Sequence, residues 1–145
     1  VFMENLDNPF LKMDDILKDH QLGKNTDAIF VDFHAEATSE KMAFAHYLDG
    51  RVSAVIGTHT HIPTADAHIL PSGTAYQTDA GMTGPYDSII GAEKDIPIHR
   101  FVKKTPAERM RPAKGEGTLC GTLIETKAGG LAKSITPIKI GGVLG

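Results

Sequence analysis

Two short apolar runs separated by a helical pattern constrain the fold of this chain more than any other feature. Residues 28–33 and 52–56 are rich in β-formers, and residues 38–49 between them begin with a Thr-Ser cap and continue with helical spacing. The predicted apolar face of that helix comprises Met42, Ala45 and Leu48. A strand, a helix and a strand within about 30 residues form a βαβ unit. The two strands are therefore predicted to be parallel and joined by a right-handed crossover.

The rest of the chain predicts a leading helix and a second half built of antiparallel strands. Asn8 and Pro9 carry the preferences of a helix cap and first turn, and this helix should end before Gly23. Apolar runs bounded by turns predict further strands at residues 66–70, 74–78, 96–102, 118–126 and 132–140. The first two of these flank a Pro-Ser-Gly turn and should form a hairpin. The predicted fold class is α/β, with one βαβ unit followed by mostly antiparallel strands.

Length and composition exclude several classes of protein. The 145 residues make a single domain, 1–145, and are too few for an eight-stranded α/β barrel of about 250 residues. A net charge of −3 argues against a protein that coats DNA or a membrane, and 41% hydrophobic residues exclude disorder. The single cysteine, Cys120, excludes an internal disulfide, and no apolar run approaches the length of a membrane span. We expect a cytoplasmic protein with no membrane partner.

Three histidines follow the two strands of the βαβ unit. His34 comes directly after the first strand, and His59 and His61 follow the second. The carboxyl ends of neighbouring parallel strands lie about 5 Å apart on one edge of a sheet, where ligands of open α/β sheets bind. Neutral imidazole is a favoured ligand of Zn, Fe and Mn. The spacing therefore predicts a metal site, although each histidine taken alone is more often structural. The other four, His20, His46, His68 and His99, are expected to be structural or surface residues.

Three histidines do not complete a two-metal site, which usually includes a bridging carboxylate. The nearest acids are Asp32, Glu36, Asp66 and Asp79. Glu36 is the better candidate for supporting a ligand or contacting a substrate, and Asp79 precedes glycines that let backbone approach a ligand. An ordinary turn accounts equally well for the Asp79 stretch. The candidates for substrate binding or ligand support are Glu36, Thr58, Thr60, Asp79, Gly81, Met82 and Thr83.

Residues 105–114 are predicted to form an exposed linker. Basic side chains cluster in and just before it, at Lys103, Lys104, Arg109, Arg111 and Lys114. A solvated loop is the favoured interpretation, and a phosphate-binding patch is the alternative. The Walker and GxGxxG phosphate-binding motifs, the CxxC metal or redox motif and the GxSxG nucleophile motif are absent from the sequence.

Three segments in this order resemble a known family. Residues 31–41 (VDFHAEATSEK), 57–66 (GTHTHIPTAD) and 78–85 (TDAGMTGP) are similar to the YmdB-like branch of the calcineurin-like metallophosphoesterases. The similarity runs from the first helix to the C-terminus, and the one local departure is Thr58, which stands where the superfamily pattern has Gly.

The resemblance implies a fold, a cofactor and an activity. The fold is a four-layer αββα sandwich with two transition metal ions (Fe, Mn or Zn) at the strand ends. By family pattern, His34 and His59 bind one metal and His61 binds the other. The implied activity is two-metal hydrolysis of a phosphodiester, with a small 2′,3′-cyclic nucleotide, free or derived from RNA, as substrate. A histidine protonates the leaving oxygen.

The resemblance also implies that this chain is the C-terminal half of a larger metallophosphoesterase domain. The family's Asp motif, its Glu-Asn pair with the bridging ligand and its Asn-His pair with the proton donor find no counterpart here. We therefore expect the catalytic proton donor to lie in an N-terminal half and the isolated chain to be weakly active or inactive. A half sandwich exposes a sheet edge, which predicts a homo-oligomer or association with that other half.

Two further functions remain open from the sequence. A mononuclear zinc hydrolase with three histidine ligands would require this chain to be complete and to hold one metal. A catalytically inactive module would use the same fold to bind a nucleotide or a protein partner.

Overall fold

The computed structural model describes residues 7–106 and 108–145. The helices are α1 (Pro9–Asp19), α2 (Thr38–Tyr47) and α3 (Asp95–Lys103). The strands are β1 (Phe30–His34), β2 (Ala54–Thr58), β3 (His68–Ile69), β4 (Ala75–Gln77), β5 (Leu119–Thr126) and β6 (Ala132–Ile140). No helix within the described ranges has both the length and the apolar content to cross a bilayer.

The predicted strand–helix–strand unit is confirmed as β1, α2 and β2. β1 and β2 are parallel, with Phe30 opposite Ala54 and His34 opposite Thr58. This register places the last residues of both strands side by side, at the carboxyl ends of the strands. The α/β fold class is thereby confirmed.

The parallel pair belongs to a four-stranded sheet with the order β1-β2-β4-β3. β4 is parallel to β2, and β3 runs antiparallel to β4 as the predicted hairpin. β5 and β6 form a separate antiparallel pair in which Pro137 faces Thr122. Among the described strands β1 pairs on one side only, so it is an edge of the larger sheet.

The elements pack in three layers. α1 and α2 cover one face of the four-stranded sheet, where Phe33 of β1 stacks on Phe44 of α2 with ring centroids 4.0 Å apart. The β5–β6 hairpin covers part of the other face through Ala132, Ile124 and Ile135. Burial of these apolar side chains supplies the main driving force for holding the layers together.

Two predictions from the sequence are wrong. Residues 96–102 form most of α3 and not a strand, because Pro97 suits a first helical turn and Asp95, Arg100 and Lys103 complement the helix dipole at its two ends. In α2, Met42 is 43% exposed and does not belong to the apolar face. The buried face of that helix consists of Lys41, Phe44, Ala45 and, just beyond its end, Leu48.

Candidate metal centre at the sheet edge

His34 and His59 meet at the carboxyl ends of β1 and β2. The Nδ1 atom of His59 lies 3.2 Å from the Nε2 atom of His34, and the two rings are nearly perpendicular, at 81°. Both side chains are exposed. The parallel register thus brings two imidazoles from different strand ends to one point.

A chain of hydrogen bonds fixes the tautomer of His34, that is, which of its two ring nitrogens carries the proton. The Thr58 hydroxyl donates to Asp32 Oδ1 over 2.9 Å and lies 3.1 Å from His34 Nδ1. Because the hydroxyl has one proton and donates it to the carboxylate, it accepts from His34 Nδ1–H. Nε2 of His34 therefore carries a lone pair and accepts a hydrogen bond from His59 Nδ1–H over 3.2 Å.

The backbone after β2 adopts conformations that are uncommon for residues other than glycine. The described ranges contain four non-glycine residues with positive φ, and three of them lie at the candidate site. They are His59 (124°), His61 (68°) and Ile90 (48°), whose carbonyl contacts His61. Conformations of this kind cost about 1–3 kcal/mol each and persist only where the surroundings enforce them. The fourth, Lys104, ends α3.

His61 is oriented separately from the other two histidines. Its Nδ1 donates to the Ile90 carbonyl over 2.7 Å, which leaves Nε2 as the acceptor nitrogen. A histidine that donates one ring N–H to a backbone carbonyl is held in the manner typical of metal ligands. The structure thus gives His61 the orientation of a ligand, but the described residues do not group it with His34 and His59 as three ligands of one ion.

Asp79 lies beneath the loop that carries His59 and His61. Its side chain is 1% exposed and accepts from the Thr60 amide over 2.8 Å, the Gly81 amide over 2.9 Å and Lys41 Nζ over 3.1 Å. Burial raises the pKa of Asp79, but these hydrogen bonds outweigh it and hold the pKa below its ordinary value. The carboxylate therefore stays ionised and, from its buried position, accepts hydrogen bonds from the backbone amides of Thr60 and Gly81.

The candidates after Asp79 support the loop mainly through their backbones. The Met82 amide donates to the His61 carbonyl over 3.1 Å. Gly81 has φ +83°, and a Cβ there would meet Pro63 Cδ at 2.8 Å. Thr83 is exposed and reaches the Cys120 carbonyl at 3.4 Å, on the side of β5.

The remaining candidates have separate surroundings. Glu36 is exposed in the loop after β1, and the Thr60 hydroxyl donates to the Ile62 carbonyl over 3.2 Å. Asp66 accepts from the amide and hydroxyl of Thr78. Burial raises the pKa of Asp66, but hydrogen bonds, including those from Thr78, lower it below the ordinary value.

In the basic cluster, Arg111 pairs with three carboxylates, those of Glu93, Asp95 and Glu108.

Sequence reasoning missed two residues that build this region. Lys41 is 1% exposed and pairs with Asp79, and its spacing to Phe44 and Leu48 places a lysine on the apolar stripe of α2, a signal that could have revealed it. The Tyr86 hydroxyl donates to the His61 carbonyl over 2.9 Å and lies 3.3 Å from Cys120 Sγ. Burial and the neighbouring Cys120 raise the pKa of Tyr86 to about 12. No local sequence signal indicated that contact.

The donor set fits part of a metal site. Two nitrogens bound to one tetrahedral zinc at about 2.0–2.1 Å lie roughly 3.4 Å apart, close to the 3.2 Å between His34 and His59. Within residues 7–106 and 108–145, however, no three His, Cys, Asp or Glu side chains are grouped so that they could hold an ion. The spacing of the pair therefore suits two ligands of one metal ion, which would take the place of the proton between the two nitrogens.

Comparison with known proteins gives a consistent family. The profile described as "YmdB-like protein" matches residues 1–138. The 2′,3′-cyclic-nucleotide 2′-phosphodiesterase of Bacillus subtilis (strain 168) is 54% identical over 124 residues, which are 86% of this chain and 46% of that protein.

Two solved structures share the fold. A hypothetical protein from Thermus thermophilus has a TM-score of 0.88 and 47% identity, covering 98% of this chain and 54% of its own. A novel phosphatase from Mycoplasma pneumoniae has a TM-score of 0.84 and 36% identity, covering 94% of this chain and 48% of its own. The chain thus spans about half the length of the relatives that it matches.

Proposed function

The chain belongs to the YmdB-like protein family, and on that premise we propose that it is the histidine-bearing half of a metal-dependent phosphodiesterase that hydrolyses 2′,3′-cyclic nucleotides. The observation that carries the proposal is the 3.2 Å approach of His34 Nε2 and His59 Nδ1 at neighbouring strand ends. The substrate class is suggested by the Bacillus subtilis relative, whose name is that of a 2′,3′-cyclic-nucleotide 2′-phosphodiesterase.

Each histidine has a distinct role in this proposal. His34 and His59 hold one metal ion, and His61 contributes Nε2 to a second. The hydrogen-bonded chain from Asp32 through Thr58 keeps His34 in the required tautomer. Imidazole ligands completed by oxygen suit Fe, Mn or Zn.

The chemistry divides between the ions and the chain. When bound, the metal ions supply Lewis acidity toward the phosphoryl oxygens and make water a nucleophile at neutral pH. The chain's own residues orient the site: Asp32 and Thr58 fix His34, Ile90 fixes His61, and Asp79 secures the loop between the two later histidines. The proton donor for the leaving oxygen belongs to the other half of the enzyme.

The proposed site is shared with a second polypeptide segment. The chain matches 46% of the Bacillus subtilis relative, and its described residues offer two convergent nitrogens and not a group of three ligands. These facts favour a shared two-metal site over a self-contained three-histidine zinc site. The partner is the other half of such a protein or a second copy of this chain.

A cytoplasmic location is part of the proposal, because the thiol of Cys120 is free and cytosolic proteins keep their cysteines reduced.

Paramagnetic broadening by Mn²⁺ tests the proposal even if the half site binds weakly. Titrating the purified chain with Mn²⁺ should broaden the NMR ring signals of His34 and His59 before those of His46 and His99. His59→Ala should weaken the broadening at His34 by at least about 100-fold in Mn²⁺ concentration, because loss of an outer support alone costs 10–100-fold. His46→Ala, an exposed histidine on α2, is the matched control and should change nothing at His34. Uniform broadening of all histidines would refute the site.

A further inference from the structure

A fully buried ion pair lies directly beneath the loop of the candidate site. Lys41 Nζ and Asp79 Oδ2 are 3.1 Å apart, and both side chains are 1% exposed. Burying two charges is costly, and a well-packed apolar pair of similar size is often as stable or more stable. The stability of the fold alone therefore does not explain why the two ions are there.

The two oxygens of Asp79 bond to two different parts of the site. Oδ2 accepts from the Thr60 amide over 2.8 Å, and Oδ1 accepts from the Gly81 amide over 2.9 Å. Thr60 is the residue between His59 and His61, which have φ values of 124° and 68°. Only a carboxylate offers an acceptor at both positions, since asparagine has one oxygen and one NH₂ donor.

The local packing is built around this arrangement. Gly57, at the end of β2, leaves no room for a side chain: a Cβ there would lie 1.8 Å from the Thr78 carbonyl oxygen and 2.9 Å from Lys41 Cδ. Because Gly57 has no Cβ, the Lys41 side chain has room to pack against this strand and reach Asp79. Lys41 then compensates the buried negative charge that the two amides require.

We infer that Asp79, with Lys41 as its counter-ion, is a positioning residue that holds His59 and His61 in their positive-φ conformations through the Thr60 amide. The carboxylate bonds to the Thr60 and Gly81 amides and to Lys41, so it acts on the two histidines through the backbone. The use of the two histidines as metal ligands rests on the proposed function. The conformational role of the pair does not.

Three variants separate positioning from stability: Lys41→Met, Asp79→Asn and the double variant. Lys41→Met leaves the Asp79 carboxylate as an unpaired buried charge, and Asp79→Asn leaves the Lys41 ammonium unpaired. Each single change should therefore lower the urea midpoint of unfolding. The double variant is neutral at both positions and should recover much of that midpoint. It cannot restore both amide bonds, so hydrogen exchange at Thr60 or Gly81 should remain faster than in wild type by more than about tenfold. The positive-φ geometry should relax with it, seen as shifted His59 and His61 amide resonances.

Leu17→Ala provides a control of similar size elsewhere. Leu17 lies on α1 in the core, and its truncation should lower the urea midpoint without selective loss of protection at Thr60 and Gly81. The inference is overturned if the double variant regains protection at both amides, or if it is no more stable than the single variants. All these measurements use the metal-free chain, so a chain that shows the expected exchange but binds no Mn²⁺ contradicts the proposed function alone.

Discussion

At the scale of single residues, the orientation of His34 depends on a hydroxyl from the neighbouring strand. Thr58 faces His34 in the parallel register, accepts from its Nδ1 and donates its own proton to Asp32. A ring nitrogen that donates to a fixed acceptor determines the tautomer of the whole ring. The Thr58 hydroxyl is thus what links Asp32 to the histidine.

Thr58→Val tests this chain of hydrogen bonds. Valine keeps the shape of threonine but removes the hydroxyl, so His34 Nδ1 loses its acceptor and the Nδ1–H tautomer loses its preference. We expect the ring ¹⁵N shifts of His34 to move toward a mixture of tautomers and the Mn²⁺ concentration needed to broaden His34 to rise by about 10–100-fold.

Thr58→Ser is the control for that substitution. Serine restores the hydroxyl and should restore the wild-type ¹⁵N shifts. If valine and serine give the same tautomer ratio as threonine, Thr58 does not orient His34.

At the scale of secondary-structure elements, the close approach of β2 and β4 depends on Gly57. We expect Gly57→Ala to lower the free energy of unfolding by more than about 3 kcal/mol, because the clash at 1.8 Å is with the Thr78 carbonyl oxygen and a backbone atom cannot rotate away. Urea unfolding measures the loss.

Gly121→Ala on β5 is the matched control. A Cβ at Gly121 would meet no atom within 4 Å, so the free energy of unfolding should change by less than about 1 kcal/mol. Equal losses for the two variants would contradict the role of close strand packing.

The sequence predicted the elements whose pattern is local. The βαβ unit, the β3–β4 hairpin and the β5–β6 pair follow from apolar runs, caps and turns. α3 was missed because a run with Ile98, Phe101 and Val102 resembles a strand, although these side chains are 50%, 80% and 69% exposed on a helix. Composition alone does not distinguish an exposed apolar helix from a buried strand.

The candidate site was predictable where topology alone brings residues together. Parallel strand ends placed His34 beside His59 without any further information. The orientation of His61 was not predictable, because it depends on the Ile90 carbonyl 29 residues away. Likewise, the Lys41–Asp79 pair joins residues 38 apart, and no local pattern identifies such a partner.

At the scale of the whole molecule, one side of the larger sheet remains open. β1 is an edge strand among those described, and its Phe30 is 60% exposed. On the hairpin, Leu123 and Ile140 are 55% and 62% exposed. Unpaired strand edges with apolar side chains favour association, which agrees with a chain that spans about half of its relatives.

Mixing this chain with the part of the Bacillus subtilis relative that it does not span tests the shared site. Light scattering should show the chain self-associated when alone and in a 1:1 complex after mixing, and hydrolysis of 2′,3′-cyclic AMP should appear only in the complex. Phe30→Glu should weaken the complex by at least about tenfold, because it removes the burial of one large apolar side chain and adds a charge at the edge. Phe101→Glu, 80% exposed on α3, is the control and should leave the affinity unchanged. A monodisperse monomer that turns over the substrate alone would mean that the site is completed within this chain, because no second segment would then be needed to supply ligands or the proton donor.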